Sequence, residues 1–427
     1  MSLRRQLARY SVLMGNVGAR LAALVTAAVT TFLVARSGGA AMVGNLALLR
    51  VLPGLLGVVI SSGLPGAVTY FRAGPHREDA RLPLTVVAMA FAGGAVGAAL
   101  WVSSSPLLGS VLFPNLPLGA VALAGVIVLT KLFVATSKSC LQGDDDLPGA
   151  NRVIFAEEFM FLPAYGLLWA AGLHGYAALV ASLIIADLAT SSLGWGRLLK
   201  RGFFARTSGA SVKLARQIAS YGMRGQVGGV MTLLNLRLDF ILLGVLTGPA
   251  VLGVYAVASK FAELVKVPGM ALTYVLYPRF ARDGTESAAK AREMIPKAGL
   301  LTAGVVAPLW ALTFLLPVIY GSGFKGAVVP AQIILVGLIL EGAAGVVSGF
   351  LYGSGRPGLN SWAMLVGLTL TVVLDLVLIP PFGATGAAVA SAAAYATTQM
   401  TLLWFFWWVR REKTAAAWEK TPVGSST

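Results

Sequence analysis

The sequence predicts an all-α polytopic membrane protein with about twelve transmembrane helices in two six-helix lobes and both termini in the cytoplasm. Three observations carry this. Of the 427 residues, 57% are hydrophobic and only 12% charged, against about 25% charged in an ordinary soluble domain, and mean hydropathy is +0.80. Apolar stretches long enough to cross a bilayer follow one another along the whole chain. The two halves also repeat each other. The 50 glycines follow no Gly-X-Y period, so collagen is excluded and small residues at helix contacts account for them. One cysteine (Cys140) and two histidines (His76, His174) exclude an internal disulfide and leave no Cys- or His-based metal centre.

A spanning helix needs about 20 mostly apolar residues, because every backbone N–H and C=O in hydrocarbon must be paired internally. The expected spans are roughly 12–36, 41–71, 82–103, 117–139, 149–171, 175–196, 218–246, 250–278, 297–320, 328–352, 358–380 and 385–409. The opening MSLRRQLARY has the charge of a signal-peptide start. The apolar run after it continues at spanning length with no small-residue cleavage site, so a retained first helix is expected. Pro53, Pro65, Pro268 and Pro278 fall in the second and eighth spans, where helix breaks suit gating.

Orientation follows from Lys and Arg. With the N-terminus inside, the inner segments collect Arg4, Arg5, Arg9, Arg72, Arg77 and Arg81, then the stretch Arg197 to Arg216, then Arg279 to Lys297 and the tail. The outer loops hold only Arg36 and Lys325. The net charge of +16 is therefore a topology signal, and no nucleic-acid partner is expected. Trp404, Trp407 and Trp408 fit an aromatic belt at the inner interface.

The repeat has a nearly constant offset. Gly15-Asn16-Val17-Gly18 recurs as Gly225-Gln226-Val227-Gly228, and Ser37-Gly38-Gly39-Ala40 as Thr247-Gly248-Pro249-Ala250. Leu141-Gln142-Gly143 before Pro148-Gly149-Ala150-Asn151 recurs as Leu351-Tyr352-Gly353 before Pro357-Gly358-Leu359-Asn360. Val180-Ala181-Ser182 recurs as Val389-Ala390-Ser391. Six spans per half set both halves in the same orientation, with a substrate site expected between them near the midplane. The expected organisation is an N-terminal lobe over 1–196, a basic cytoplasmic linker over 197–217, a C-terminal lobe over 218–410 and a cytoplasmic tail over 411–427.

Charges inside spans are costly and mark sites. Arg50 lies about nine residues, or roughly 13 Å, below the outer edge of the second span, close to the midplane. Arg20 lies lower in the first span; Arg237 and Asp239 on the seventh and Lys260 and Glu263 on the eighth fall at similar depth. Arg binds a diphosphate through its planar fork and Lys binds it as a point charge, so Arg20, Arg50, Lys260 and Arg237 are the candidate anion-binding residues. Asp239 with Lys260 and Arg237 with Glu263 are the competing structural pairs. Asp239, Glu263, Glu157, Asp187 and Glu341 are the candidate ion-coupling acids, because a desolvated carboxylate can exchange a proton or hold Na⁺. Neighbours Glu157 and Glu158 point about 100° apart on a helix and cannot share one partner. Lys266 and Arg224 are placed nearer the cytoplasmic end, where they can snorkel. Asp144-Asp145-Asp146 lacks the alternation of an EF-hand loop and is expected to be a solvated turn.

The stretch DFILLGVLTGPAVLGVYAVA from Asp239 to Ala258, closing with Leu276-Tyr277-Pro278, together with Leu141-Gln142-Gly143, resembles the polysaccharide-biosynthesis branch of the multidrug/oligosaccharidyl-lipid/polysaccharide (MOP) exporters, the Wzx-type flippases. The resemblance covers nearly the whole chain. It implies a MOP/MATE-like two-lobed fold in the inner (cytoplasmic) membrane that turns a polyprenyl-diphosphate-linked oligosaccharide from the inner to the outer leaflet by alternating access. It also implies membrane lipid as surroundings and the glycan polymerase or glycosyltransferases of the same pathway as partners. Such flippases carry cationic residues facing the cavity on the first, second and eighth helices, and Arg20, Arg50 and Lys260 match them by position. No Walker-type phosphate loop occurs, and neither a cofactor nor enzymatic chemistry is expected, with H⁺ or Na⁺ as candidate coupling ions. The alternative is a MATE-type cation-coupled antiporter of drugs or organic cations.

Overall fold

A computed structural model describes residues 3–74, 76–283 and 286–419, and every regular element among them is helical. In chain order these are α1 (Leu3–Ile60), α2 (Leu64–Ala73), α3 (Leu82–Val111), α4 (Leu118–Leu123), α5 (Gly125–Gly143), α6 (Leu147–Phe159), α7 (Phe161–Ala170) and α8 (Gly175–Lys200). Then come α9 (Val212–Thr247), α10 (Pro249–Ala262), α11 (Lys266–Asp283), α12 (Ser287–Leu312), α13 (Leu316–Tyr320), α14 (Val328–Gly337), α15 (Glu341–Gly353) and α16 (Pro357–Glu419). Among the described residues, seven helices are long and apolar enough to cross a membrane, or eight when the bent pair Ser322–Gly337 and Glu341–Gly353 counts as one span. The chain is a multi-pass membrane protein.

The expected junctions appear as breaks. α1 runs through the predicted first and second spans but is broken at Gly39 (φ 69°, ψ −165°). α16 runs through the last two and is broken at Gly383 (φ 54°, ψ −128°). Both backbones sit where a Cβ is strained, so only glycine adopts them cheaply. The repeat carries its geometry with it. Gly248, the counterpart of Gly38 and so one position before the match to Gly39, has φ 86°, and the turns after α5 and α15 each hold one left-handed residue, Asp145 (φ 59°) and Gly355 (φ 73°). The second span also breaks where Pro65 predicts trouble: Ser62 (φ 51°) and Gly63 (φ 71°) separate α1 from α2.

The chain divides into two compact units, Met1–Gly253 and Val254–Thr427. The division falls inside α10 rather than in the basic segment 197–217, and α9 stays with the first unit because it packs on α1, α2 and α3. The core of the first unit includes Val68, Phe71, Val86, Leu141, Val153, Leu198 and Ile218. Small residues set its helix contacts. A Cβ at Gly44 would collide with the Pro249 carbonyl, and one at Gly63 with the backbone of Gly222. Gln226 donates through Nε2 to the carbonyls of Val58 and Val59, at 2.6 and 2.8 Å, satisfying oxygens left over where α1 ends. In the second unit Phe280, Phe350 and Phe406 lie at the core, α11 meets α15 where Gly269 faces Gly345, and the Tyr255 and Ser391 hydroxyls hydrogen-bond at 2.9 Å.

The Asp144–Asp146 turn is not the solvated turn its composition predicts. Asp144 and Asp146 are buried; only Asp145 is exposed. Arg72 donates from Nε to Asp144 at 2.5 Å, with its guanidinium 4.9 Å from the Phe203 ring centroid. Asp146 caps α6 by accepting from the Gly149 N–H at 3.1 Å and takes a two-pronged bond from Arg197, with Nη2 to Oδ1 at 2.9 Å. The Arg197 guanidinium holds the Asp146 carboxyl below the usual carboxylate range. Basic residues read as topology markers thus also clamp the turns: the Ser208 N–H donates to Ala80 O at 2.8 Å and the Ser211 N–H to Thr85 Oγ1 at 3.0 Å.

Candidate functional site

The first unit gathers six charged side chains from four helices. α1 supplies Arg50, α5 Lys131 and Lys138, α6 Glu157 and Glu158, and α8 Asp187. Arg50 donates from Nη1 to Glu158 Oε2 at 2.6 Å, and its guanidinium carbon lies 5.5 Å from the Phe161 ring centroid. Phe161 stacks on Tyr165, whose hydroxyl meets Ser37 Oγ at 2.7 Å. Lys131 lies 3.4 Å from Glu157 Oε1 and 3.3 Å from Asp187 Oδ1. Lys138 reaches Glu157 Oε2 at 3.3 Å. The Thr130 hydroxyl is 3.1 Å from Asp187 Oδ2.

The helical period explains the arrangement. Lys131 and Lys138 are seven residues apart, two turns, and so share a face of α5. Glu157 and Glu158 diverge by about 100°, and each finds its own cations: Glu157 the two lysines, Glu158 the arginine. The cluster holds three cations and three acids, as burial demands, because an unpaired charge in a helix bundle is far costlier than a paired one.

Of the predicted residues, the structure brings Arg50, Glu157 and Asp187 together. Arg50 is not an open cation: its Nη1 is paired with Glu158. Arg20 is exposed on the first arm of α1. Arg237 is half-buried on α9, 5.2 Å from the Phe240 ring centroid. Asp239 is buried and accepts from the Phe240 N–H at 2.9 Å. Lys260 and Glu263 are half-buried, Glu263 opening a short 3-10 turn after α10. They fall in the second compact unit, whereas Arg237 and Asp239 fall in the first.

Glu341 begins α15 at the 43° bend after α14 and accepts from Gln399 Nε2 at 3.1 Å. Lys266, placed by sequence at a snorkelling depth, instead lies half-buried in the second unit, 4.0 Å from the Tyr395 ring centroid. A recess of about 590 Å³ at the α1–α2 break is lined by Ser61, Tyr221, Arg224 and Gln226 among others. Among the described residues no group of His, Cys, Asp and Glu is placed to hold a metal ion. Sequence reasoning missed Lys131 and Lys138. The signal was present: two lysines one heptad apart at spanning depth in the fourth span meet the same criterion that singled out Arg50.

Comparison with known proteins places this geometry. A family model described as "Polysaccharide biosynthesis protein" matches residues 39–329. The probable low-salt glycan biosynthesis flippase Agl15 of Haloferax volcanii is 24% identical over 372 residues, 84% of this chain and 75% of that one. An uncharacterized membrane protein of Methanocaldococcus jannaschii is 26% identical over 188 residues, and the match spans only 37% of its length. Among solved structures, the lipid II flippase MurJ in an inward closed conformation has a TM-score of 0.75 at 12% identity, covering 95% of this chain and 93% of that one. An inward-facing multidrug resistance MATE family transporter of the MOP superfamily scores 0.70 at 13% identity, covering 94% and 96%. At such identities the structures speak for the fold alone. The activities named among these relatives are flipping and transport, not enzymatic chemistry. The chain belongs to the polysaccharide biosynthesis protein family.

Proposed function

We propose that this protein flips a polyprenyl-diphosphate-linked oligosaccharide from the cytoplasmic to the outer leaflet of the cell membrane, by alternating access between two six-helix lobes. The observation that carries the reading is Arg50, whose side chain is 15% exposed within the helices of the first unit and sits against a carboxylate. A guanidinium held there, already paired through Nη1 with one carboxylate oxygen, is suited to a phosphate group. Lys260, Arg20 and Arg237 are the further cations of the reading. The family membership and the glycan flippase named among the relatives support the cargo class, and the MurJ-like fold supports the mode of movement.

Coupling to H⁺ or Na⁺ falls to the acids. Glu157 and Asp187 each lie within ion-pair distance of a lysine, whereas Glu341 accepts from a neutral amide and feels Lys266 only from beyond that distance. We therefore assign coupling to Glu341 before those two, with Asp239 and Glu263 as the other candidates. The deciding experiment replaces Arg50 with Ala and with Lys in a strain whose surface polysaccharide depends on this protein. Arg50→Ala abolishes surface glycan at normal protein levels and strands lipid-linked intermediate on the cytoplasmic leaflet, while Arg50→Lys keeps part of the export. Normal export by Arg50→Ala sinks the reading. It would bring forward the drug antiporter, which the buried Asp187 and half-buried Glu157 favour.

A further inference from the structure

The first unit carries its own anion on the cation that the cargo needs. Of the cluster's three acids, Asp187 is the most deeply placed, with a side chain 3% exposed, and is held by both Lys131 and Thr130. Glu157 is gripped by two lysines. Glu158 differs in its partners: its side chain is 32% exposed, close to the 28% of Glu157, but Arg50 is its one hydrogen-bonding partner among the described residues. Arg50, by contrast, has a second support. It rests against Phe161, which is fixed by stacking on Tyr165, itself hydrogen-bonded to Ser37. A cation–aromatic contact of this kind holds a guanidinium in place without neutralising it. If the pair opens, Glu158 is the member that leaves and Arg50 the member that stays aimed.

We propose that Glu158 is a displaceable internal counterion, seated on Arg50 when no cargo is bound and exchanged for the cargo's acidic headgroup during transport. The inference rests on the diphosphate reading of the cargo. Its chemistry is a swap of one oxyanion for another on the same guanidinium, so the arginine is never left buried without an anion. The swap also keeps binding weak enough to reverse, because apparent affinity falls in proportion to the fraction of time Arg50 is available. When cargo departs, Glu158 refills the site.

The test uses the full chain in detergent or nanodiscs, with inorganic pyrophosphate and farnesyl diphosphate as probes and binding measured by calorimetry. Thermal melting of each variant confirms folding. The expected result is that Glu158→Gln and Glu158→Ala bind both probes roughly tenfold tighter than the natural protein. Glu158→Asp stays near the natural value, and Arg50→Ala binds weakly whether or not Glu158 is also replaced. Reconstituted Glu158→Gln protein also flips lipid more slowly, because release is retarded. If the natural protein binds through Arg50 but neither Glu158→Gln nor Glu158→Ala binds more tightly, Glu158 is a fixed structural partner and this proposal alone fails. If the natural protein and Arg50→Ala bind the probes equally, or neither binds, the diphosphate reading itself fails and takes the proposal with it.

Discussion

Asp187 is buried against Lys131 and Thr130, and its removal leaves a lysine inside the bundle with Glu157 alone to answer it, a carboxylate that Lys138 also claims. Breaking such a pair costs about 3 kcal/mol or more, whereas removing both partners is close to neutral. Asp187→Ala is therefore expected to lower the melting temperature in detergent strongly, and Lys131→Met combined with Asp187→Leu to recover most of the loss. A single hydrogen atom matters equally at Gly44. A methyl there meets the Pro249 carbonyl, while at Gly54 it meets nothing within 4 Å. Gly44→Ala should destabilise by roughly 1–3 kcal/mol; Gly54→Ala should be neutral or slightly stabilising, since alanine is the better helix former. Melting curves of the two variants decide it. At this scale the sequence was only half legible. Arg50 announced itself by depth, but its partner did not, since which of two adjacent glutamates meets it depends on how α6 is rotated against α1.

The helices are punctuated by residues whose backbone the side chain forbids or permits. Gly39→Ala forces a Cβ into a conformation essentially reserved for glycine, at a cost of about 1–3 kcal/mol, and is expected to reduce both folded yield and melting temperature. The turn before α6 offers a test in pH. Arg197 holds the Asp146 carboxyl below its ordinary value, so the stabilisation from this group is present above the unfolded carboxylate pKa of about 3.9 and is lost as pH falls through the folded value. Asp146→Asn keeps the cap but not the charge. Its melting temperature should lie below that of the natural protein at about pH 6 and converge with it towards about pH 3. Asp79, beside Arg81 and held at about 2, titrates in the same sense. The breaks at Gly39 and Gly383 were legible because glycine and apolar length fix them locally, whereas the breaks inside the expected spans 149–171, 250–278 and 328–352 were not. The clamped Asp144–Asp146 turn was not, because Arg72 and Arg197 reach it from distant points in the sequence.

For the whole molecule, the distribution of Lys and Arg predicts the cytoplasmic side of each loop, and the single thiol gives a direct check. Cys140 is buried, so the natural protein should react little with a membrane-impermeant maleimide. Ser208→Cys in the basic segment should label only after the cells are opened, and Ser322→Cys, also exposed, from outside intact cells; the reverse pattern would invert the topology. The recurrence of a left-handed turn after α5 and α15 was legible, because those turns repeat in the sequence at one offset. The boundary of the compact units was not, because the attachment of α9 to α1, α2 and α3 depends on packing rather than on composition. The cluster around Arg50 has one electrical consequence. Its three cations and three acids sum to zero, so a tilt of the first unit carries no net charge from this cluster through the bilayer. A transmembrane voltage, worth about 2.3 kcal/mol per elementary charge per 100 mV, has no purchase on these six groups. It acts instead on whatever anion Arg50 holds.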